Sequence, residues 1–406
     1  MKHAVILTLL CVLAMSAVAL SADGPKLVGE KVILTLDKNI VYNPYRGIYA
    51  PHAMRLSPDG LRVLYLRSKW YLRAVSATRA NGPQLSYRSA AAMVTLRDLK
   101  TGKDTFVPVP ALLGPAGGQT WMSLTMFDPS GKRLIVPVCK DRNGNRYTER
   151  GEKVSPGLYD IASGKLTTLD IEGDSICPSF HPDGKSLVVT VYKKSGVSWE
   201  PKLYVSPTDK IKFRTLSQAG VLRSISPTSN LIAMQLFTEG ERPRPKNLIL
   251  YDLKTDTAKS VLVGKYQGGG GMQNNPQWTS DGRYIYHVIV KDEQRDGRRQ
   301  RKILTRIWDT RTNKEVGLLP DVAPVGPGPG KGTMVLVRFP AITGPRTLPK
   351  IVLHAQDNKT LGKTMHPLGD ISTYPISTQG KWLLFVRIEP KGKKTVCIAE
   401  ISLPKK

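Results

Sequence analysis

The sequence predicts an all-β fold: a β-propeller of four-stranded antiparallel blades, seven in number or six with an irregular edge, closed by an N-terminal strand. Three observations predict it. A tight-turn motif recurs along the chain, each time just ahead of an apolar strand. A second, polar turn motif follows each copy of the first. Finally, an alternating stretch near the N-terminus matches a strand that the last repeat lacks.

The first motif is Pro-Asp-Gly or a relative of it. Ser57-Pro58-Asp59-Gly60 stands before residues 61–67, and Asp128-Pro129-Ser130-Gly131 before 133–138. His181-Pro182-Asp183-Gly184 precedes 186–192, and a degraded copy, Ser226-Pro227-Thr228-Ser229-Asn230, precedes 231–237. Thr279-Ser280-Asp281-Gly282, Lys331-Gly332 and Thr378-Gln379-Gly380 precede 284–290, 333–339 and 382–387. Proline presets φ, Asp or Ser tolerates the next position, and glycine accepts the positive φ that closes a hairpin. Each copy therefore joins two antiparallel strands.

The second motif is a strand running into a polar turn. Examples are Leu96-Arg97-Asp98-Leu99-Lys100-Thr101-Gly102, Leu158-Tyr159-Asp160-Ile161-Ala162-Ser163-Gly164 and Leu250-Tyr251-Asp252-Leu253-Lys254-Thr255-Asp256. Residues 203–209, Ile307-Trp308-Asp309-Thr310-Arg311-Thr312-Asn313 and a weaker copy at 353–358 complete the set. Two hairpins per repeat make four strands, which is one propeller blade. The last repeat stops at 397–403, one strand short. Residues 27–36, with Val32, Leu34 and Leu36 in alternation, can supply that strand and close the ring, protecting both free edges.

Pro178-Ser179-Phe180-His181-Pro182-Asp183-Gly184 and Pro276-Gln277-Trp278-Thr279-Ser280-Asp281-Gly282 resemble the PD40 signature of TolB-like (WD40-like) propellers, in which an aromatic residue two positions after proline precedes the turn. Phe127 and Leu56 hold comparable places. The resemblance spans nearly all of residues 23–406 and implies a repeat class, not a particular activity. The N-terminal α/β domain of TolB has no counterpart in the sequence, nor does the peptidase domain of prolyl oligopeptidases.

Lys2, the apolar run 4–15 and the small residues Ala17, Ala19, Ser21 and Ala22 read as a signal peptide over residues 1–22, which implies a periplasmic or secreted product. Leu10 ahead of Cys11 argues against a lipid anchor. No other stretch is long and apolar enough to cross a membrane as a helix, so no transmembrane segment is expected in the mature chain. Cys139, Cys177 and Cys397 form an odd set whose spacing selects no disulfide, and at least one is expected in a buried strand.

The net charge is +28, from 60 basic and 32 acidic residues. Such a balance favours an acidic partner, and export argues against intracellular nucleic acid. Placed on the blade template, the segments joining each second strand to the third are 67–90, 140–153, 193–202, 239–246, 291–302, 338–350 and 387–394. They hold less than a quarter of the residues and about two thirds of the net charge. The expected binding residues are Lys69, Trp70 and Arg73, with Tyr71, Arg79 and Arg88 nearby, and the dense run Arg298, Arg299, Arg301 and Lys302. One cationic face results, suited to an anionic macromolecule such as an acidic polysaccharide or protein.

No HExxH, GxSxG, CxxC pair or phosphate-binding glycine loop occurs, so no catalytic residue, metal or cofactor is expected. His52, His181, His287, His354 and His366 are scattered along the chain and read as structural. Asp141, Asn143, Asn145, Glu149 and Glu152 alternate like a calcium loop, but Arg146 holds the required glycine position. The glycines 268–271 read as a linker between blades. Asp170, Glu172 and Asp174 are the best acidic candidates at the funnel. They carry the alternative function, a hydrolase or lyase with a carboxylate-lined central site.

Overall fold

The computed structural model describes residues 24–35, 54–72, 87–108, 126–139, 152–195, 198–237, 245–263, 276–295, 298–339, 350–357, 365–368, 373–388 and 393–404. These form seven four-stranded antiparallel sheets, the blades of a seven-bladed β-propeller. No helix occurs among the described residues. The alternative of six blades is excluded: the sixth repeat, weakest in sequence, still builds a full sheet.

The N-terminal strand is β1 (Lys26–Thr35). Blade 1 contains β2 (Met54–Leu56), β3 (Arg62–Leu72), β4 (Tyr87–Asp98) and β5 (Asp104–Phe106). Blade 2 contains β6 (Met126–Phe127), β7 (Arg133–Cys139), β8 (Val154–Asp160) and β9 (Leu166–Thr168). Blade 3 runs β10 (Ser175–Phe180), β11 (Ser186–Ser195), β12 (Ser198–Pro207), β13 (Arg214–Thr215), and blade 4 β14 (Val221–Ile225), β15 (Leu231–Phe237), β16 (Pro245–Asp252), β17 (Thr257–Val263). Blade 5 holds β18 (Gln277–Trp278), β19 (Tyr284–Arg295), β20 (Arg298–Asp309) and β21 (Lys314–Pro320). Blade 6 holds β22 (Val322–Pro327), β23 (Thr333–Arg338), β24 (Lys350–Ala355) and β25 (Met365–Pro367). Blade 7 is built from β26 (Thr373–Gln379), β27 (Trp382–Ile388) and β28 (Lys394–Ser402), with β1 as its outer strand.

The expected clasp is present. Strand β1 runs antiparallel to β28 from Lys26↔Ser402 to Thr35↔Thr395. It also reaches back to blade 1, where Arg97 Nη1 donates to the Ile33 carbonyl at 3.2 Å and Lys31 Nζ to the Leu99 carbonyl at 3.1 Å. One strand thus ties the last blade to the first.

The two turn motifs behave as their chemistry requires. Gly60, Gly131, Gly184, Gly282, Gly332 and Gly380 all have positive φ, and Gly60 N donates to Ser57 O while Ser57 N donates to Arg62 O. In the second motif the aspartate caps the turn. Asp98 Oδ1 accepts from Lys100 N, Thr101 N and Thr101 Oγ1, and Asp160 Oδ1 from Ser163 N and Oγ. Asp252 and Asp309 repeat the arrangement.

These bonds hold both carboxyls below the usual aspartate range, the backbone N–H of Thr101 acting first at Asp98 and that of Ser163 first at Asp160. A depressed folded pKa contributes stability that is complete above the unfolded value, about 3.9, and is lost as pH falls through the folded one. An Asp98→Asn, Asp160→Asn double variant should therefore melt lower than the parent at neutral pH, with the gap closing as pH falls below the ordinary aspartate range. A gap independent of pH would remove the carboxylates from the explanation.

Every blade is packed on both faces, so its middle strands are apolar almost throughout: in β7 all six residues after Arg133 are buried. The core is divided among the seams. Blades 3 and 4 share Val188, Leu203, Ile232, Met234 and Ile249, and blades 7 and 1 share Met54, Val63, Leu384 and Val396. Below the seams the first turns interlock. Pro58 lies against Gly131 and Pro129 against Gly184. His181 Nε2 is 3.0 Å from the Ser229 carbonyl, Thr228 Oγ1 donates to Asp281 O at 3.2 Å, and Ser280 Oγ to Gly330 O at 3.3 Å. Trp382 covers Gly60, joining blade 7 to blade 1.

Candidate functional site

Strand direction alternates in every sheet, so both turn motifs lie at one end of the ring. The hairpins joining second to third strands lie at the other, with the connections between blades. The first strands approach one another from blade to blade, β26 against β2 included, and so form the inner wall. The candidate surfaces are therefore the hairpin end and the central channel.

At the hairpin end strand pairing runs far into the connecting segments. The four cations Arg298, Arg299, Arg301 and Lys302 lie on β20 itself, paired with β19 as far as Arg295↔Arg298. Lys69 and Trp70 lie on β3, opposite Ala90 and Ser89. Segment 193–202 is likewise ribbon, paired out to Ser195↔Ser198. Arg73 and Arg79 fall outside the described residues. The physical reason is that ribbon pairing continues wherever both strands remain extended, whether or not side chains are charged.

The register adds what the sequence left unseen. Lys291 stands opposite Lys302, Arg295 opposite Arg298, and on the next blade Arg338 opposite Lys350. Lys302, Arg338 and Lys350 are exposed. Like charges directly across a strand pair are destabilising. Asp292 stands opposite Arg301 in the longer ribbon.

The channel wall is different in kind. None of the seven innermost strands contains Asp or Glu, while β2 carries Arg55 and β14 carries Arg223. Burial pushes Arg55 down to about 10. In β10 the positions alternate, with Ser175, Cys177 and Ser179 partly exposed and Ile176, Pro178 and Phe180 buried. At the junction of blades 3 and 4, Arg223 Nε donates to Gln235 Oε1 at 2.7 Å, and Nη2 reaches the same oxygen. Burial pushes the Cys177 thiol up to about 11 against the opposing pull of Arg223, and raises the Tyr192 hydroxyl well above its ordinary value.

The acidic candidates do not converge. Asp170 and Glu172 are exposed, and Asp174 is paired with Lys153 Nζ at 2.7 Å. Among the described residues no group of three His, Cys, Asp or Glu is placed to hold a metal. Residues 141–151 and the glycines 268–271 lie outside the described residues. Glu152 is buried, where it accepts from the Cys139 thiol at 3.6 Å. His181 and His354 are bonded in the scaffold, the latter to Tyr286. His287 is wholly buried, and burial first, Arg306 second, lowers it to about 3, so it stays neutral. Cys139, Cys177 and Cys397 form no disulfide among the described residues.

No protein-family model matches the chain, and no curated protein sequence matches it. Solved structures do. The β-propeller domain of the Trilobed protease from Pyrococcus furiosus superposes with a TM-score of 0.50 at 11% identity, covering 92% of this chain and 97% of that one. An oligogalacturonate lyase in complex with manganese gives 0.50 at 11%, over 93% and 98%. The oligogalacturonate lyase of Vibrio parahaemolyticus gives 0.50 at 11%, over 94% and 98%. The likeness is one of fold. This propeller therefore shares its architecture with propellers that belong to enzymes, and its chemistry has to be argued from its own residues.

Proposed function

We propose that the chain is an exported PD40/TolB-like propeller that works as a non-enzymatic binding or scaffold module, its hairpin end engaging an anionic macromolecule, an acidic polysaccharide or an acidic protein. One observation carries this: adjacent blades 5 and 6 present the cation-on-cation rungs Lys291↔Lys302, Arg295↔Arg298 and Arg338↔Lys350 at the same end of the ring. Such rungs concentrate basic residues along the hairpin end, which a polyanion complements. The motifs at 178–184 and 276–282 support the repeat class, and residues 1–22 support export.

The test is affinity for sulfated glycan, polyuronate and DNA as a function of salt. A polyanion sheds condensed counterions on binding, so affinity falls steeply as salt rises. Replacing Arg298, Arg299, Arg301 and Lys302 by Ser should weaken binding and flatten the slope, and should leave the fold intact. Trp70→Ala should weaken glycan binding with less change in slope. Absence of affinity at low salt refutes the reading. So does equal loss on replacing Lys132 and Lys185, which are exposed at the turn end.

A further inference from the structure

Among the described residues Arg223 has no counter-ion. It sits on the innermost strand of blade 4, where the β14–β15 register breaks between Leu222 and Ser224, and it is only partly exposed. Its protein partner is the side-chain oxygen of Gln235. The ionisable groups beside it, Cys177 and Tyr192, are hydrogen-bonded to each other and neutral at physiological pH. Taking a guanidinium out of bulk water among neutral groups is costly unless an anion joins it.

The placement is also specific. Val221 pairs with Gln235 and Ser175 with Tyr192, at the starts of β14 and β10. Those starts follow the connections between blades, so the cluster lies toward the hairpin end of the channel. Gln235 is fully buried, and its Nε2 has no hydrogen-bond partner among the described residues. Because Nε and Nη2 already donate to Gln235, Gln235 fixes the guanidinium plane. The edge formed by Nη1 and the second proton of Nη2 has no partner among the described residues. Two parallel N–H groups on a planar fork match the two oxygens of a carboxylate.

We infer that Arg223, oriented by Gln235 at the hairpin end of the channel wall, seats a single carboxylate group of a small organic acid or chain end entering the channel. This site is separate from the polyanion surface and does not depend on it.

Titration calorimetry of the whole protein with D-glucuronate, with D-glucose as the neutral control, tests the assignment. Glucuronate should bind and glucose should not. R223K keeps the charge but loses the fork, and should weaken binding on the order of tenfold. R223M should abolish it. Q235E places a carboxylate on the guanidinium from within, so it should abolish binding while keeping the fold, and it carries the test if R223M fails to fold. The hairpin variant with Ser at 298, 299, 301 and 302 should bind glucuronate like the parent, which separates this site from the polyanion surface. The assignment is overturned if glucuronate binds no better than glucose, if Q235E binds like the parent, or if sulfate displaces glucuronate at equal concentration.

Discussion

Deleting residues 24–35 should lower the melting temperature by roughly 4 °C and make the protein prone to self-association. Strand β1 is itself mostly solvent-facing, so its contribution is concentrated in a few contacts. Leu27 packs on the seam of blades 6 and 7, and Ile33 and Leu34 on the seam of blades 7 and 1. Three half-buried aliphatic side chains at about 1 kcal/mol each give about 3 kcal/mol, and in a domain of this size each kcal/mol is worth a little over ~1 °C. The bonds from Arg97 and Lys31 are lost as well. The truncated protein presents the whole edge of β28, a template for another chain. Calorimetry with light scattering reads both effects; an unchanged melting temperature would mean that β1 decorates the ring and does not close it.

A single methyl group at Gly60 should cost about 3 kcal/mol or more, while the same change at Gly184 should cost about 1 kcal/mol. Both glycines have the same backbone, φ +72° and +71°. Their surroundings differ. A Cβ at Gly60 would meet the Trp382 indole at 2.5 Å, whereas at Gly184 the nearest atoms are those of Pro129 at 4.0 Å. Trp382 is packed into the seam of blades 7 and 1 and covered by Lys381, so relief requires moving the closure itself. Denaturant melts of Gly60→Ala and Gly184→Ala separate the terms; equal losses would show that backbone conformation alone sets the cost and that the indole yields freely.

The turns were legible because their chemistry is local. Pro-Asp-Gly and the capping aspartates satisfy their own backbone within five residues, and even the copy without glycine at Ser226 keeps the bond from its N–H to Leu231 O. The hairpin ends are less legible, because the blade template bounds the segments between second and third strands without saying how far the strands run. Asp296-Gly297 between Arg295 and Arg298 is the two-residue hairpin signal, and it predicts the ribbon that the register shows. The Arg223 site had no such signal. Its parts come from β10, β11, β14 and β15, and only the meeting of blades 3 and 4 brings them together.

The pairing of Lys26 with Ser402 also sets a schedule. A contact between residues so far apart in the chain is among the slowest to form, since nearly the entire polypeptide must be arranged before that contact adds any stability. A chain emerging N-terminus first therefore carries β1 without its partner until residues 394–402 have been made. Throughout that interval a strand meant for the protein's own tail is available to a neighbour's.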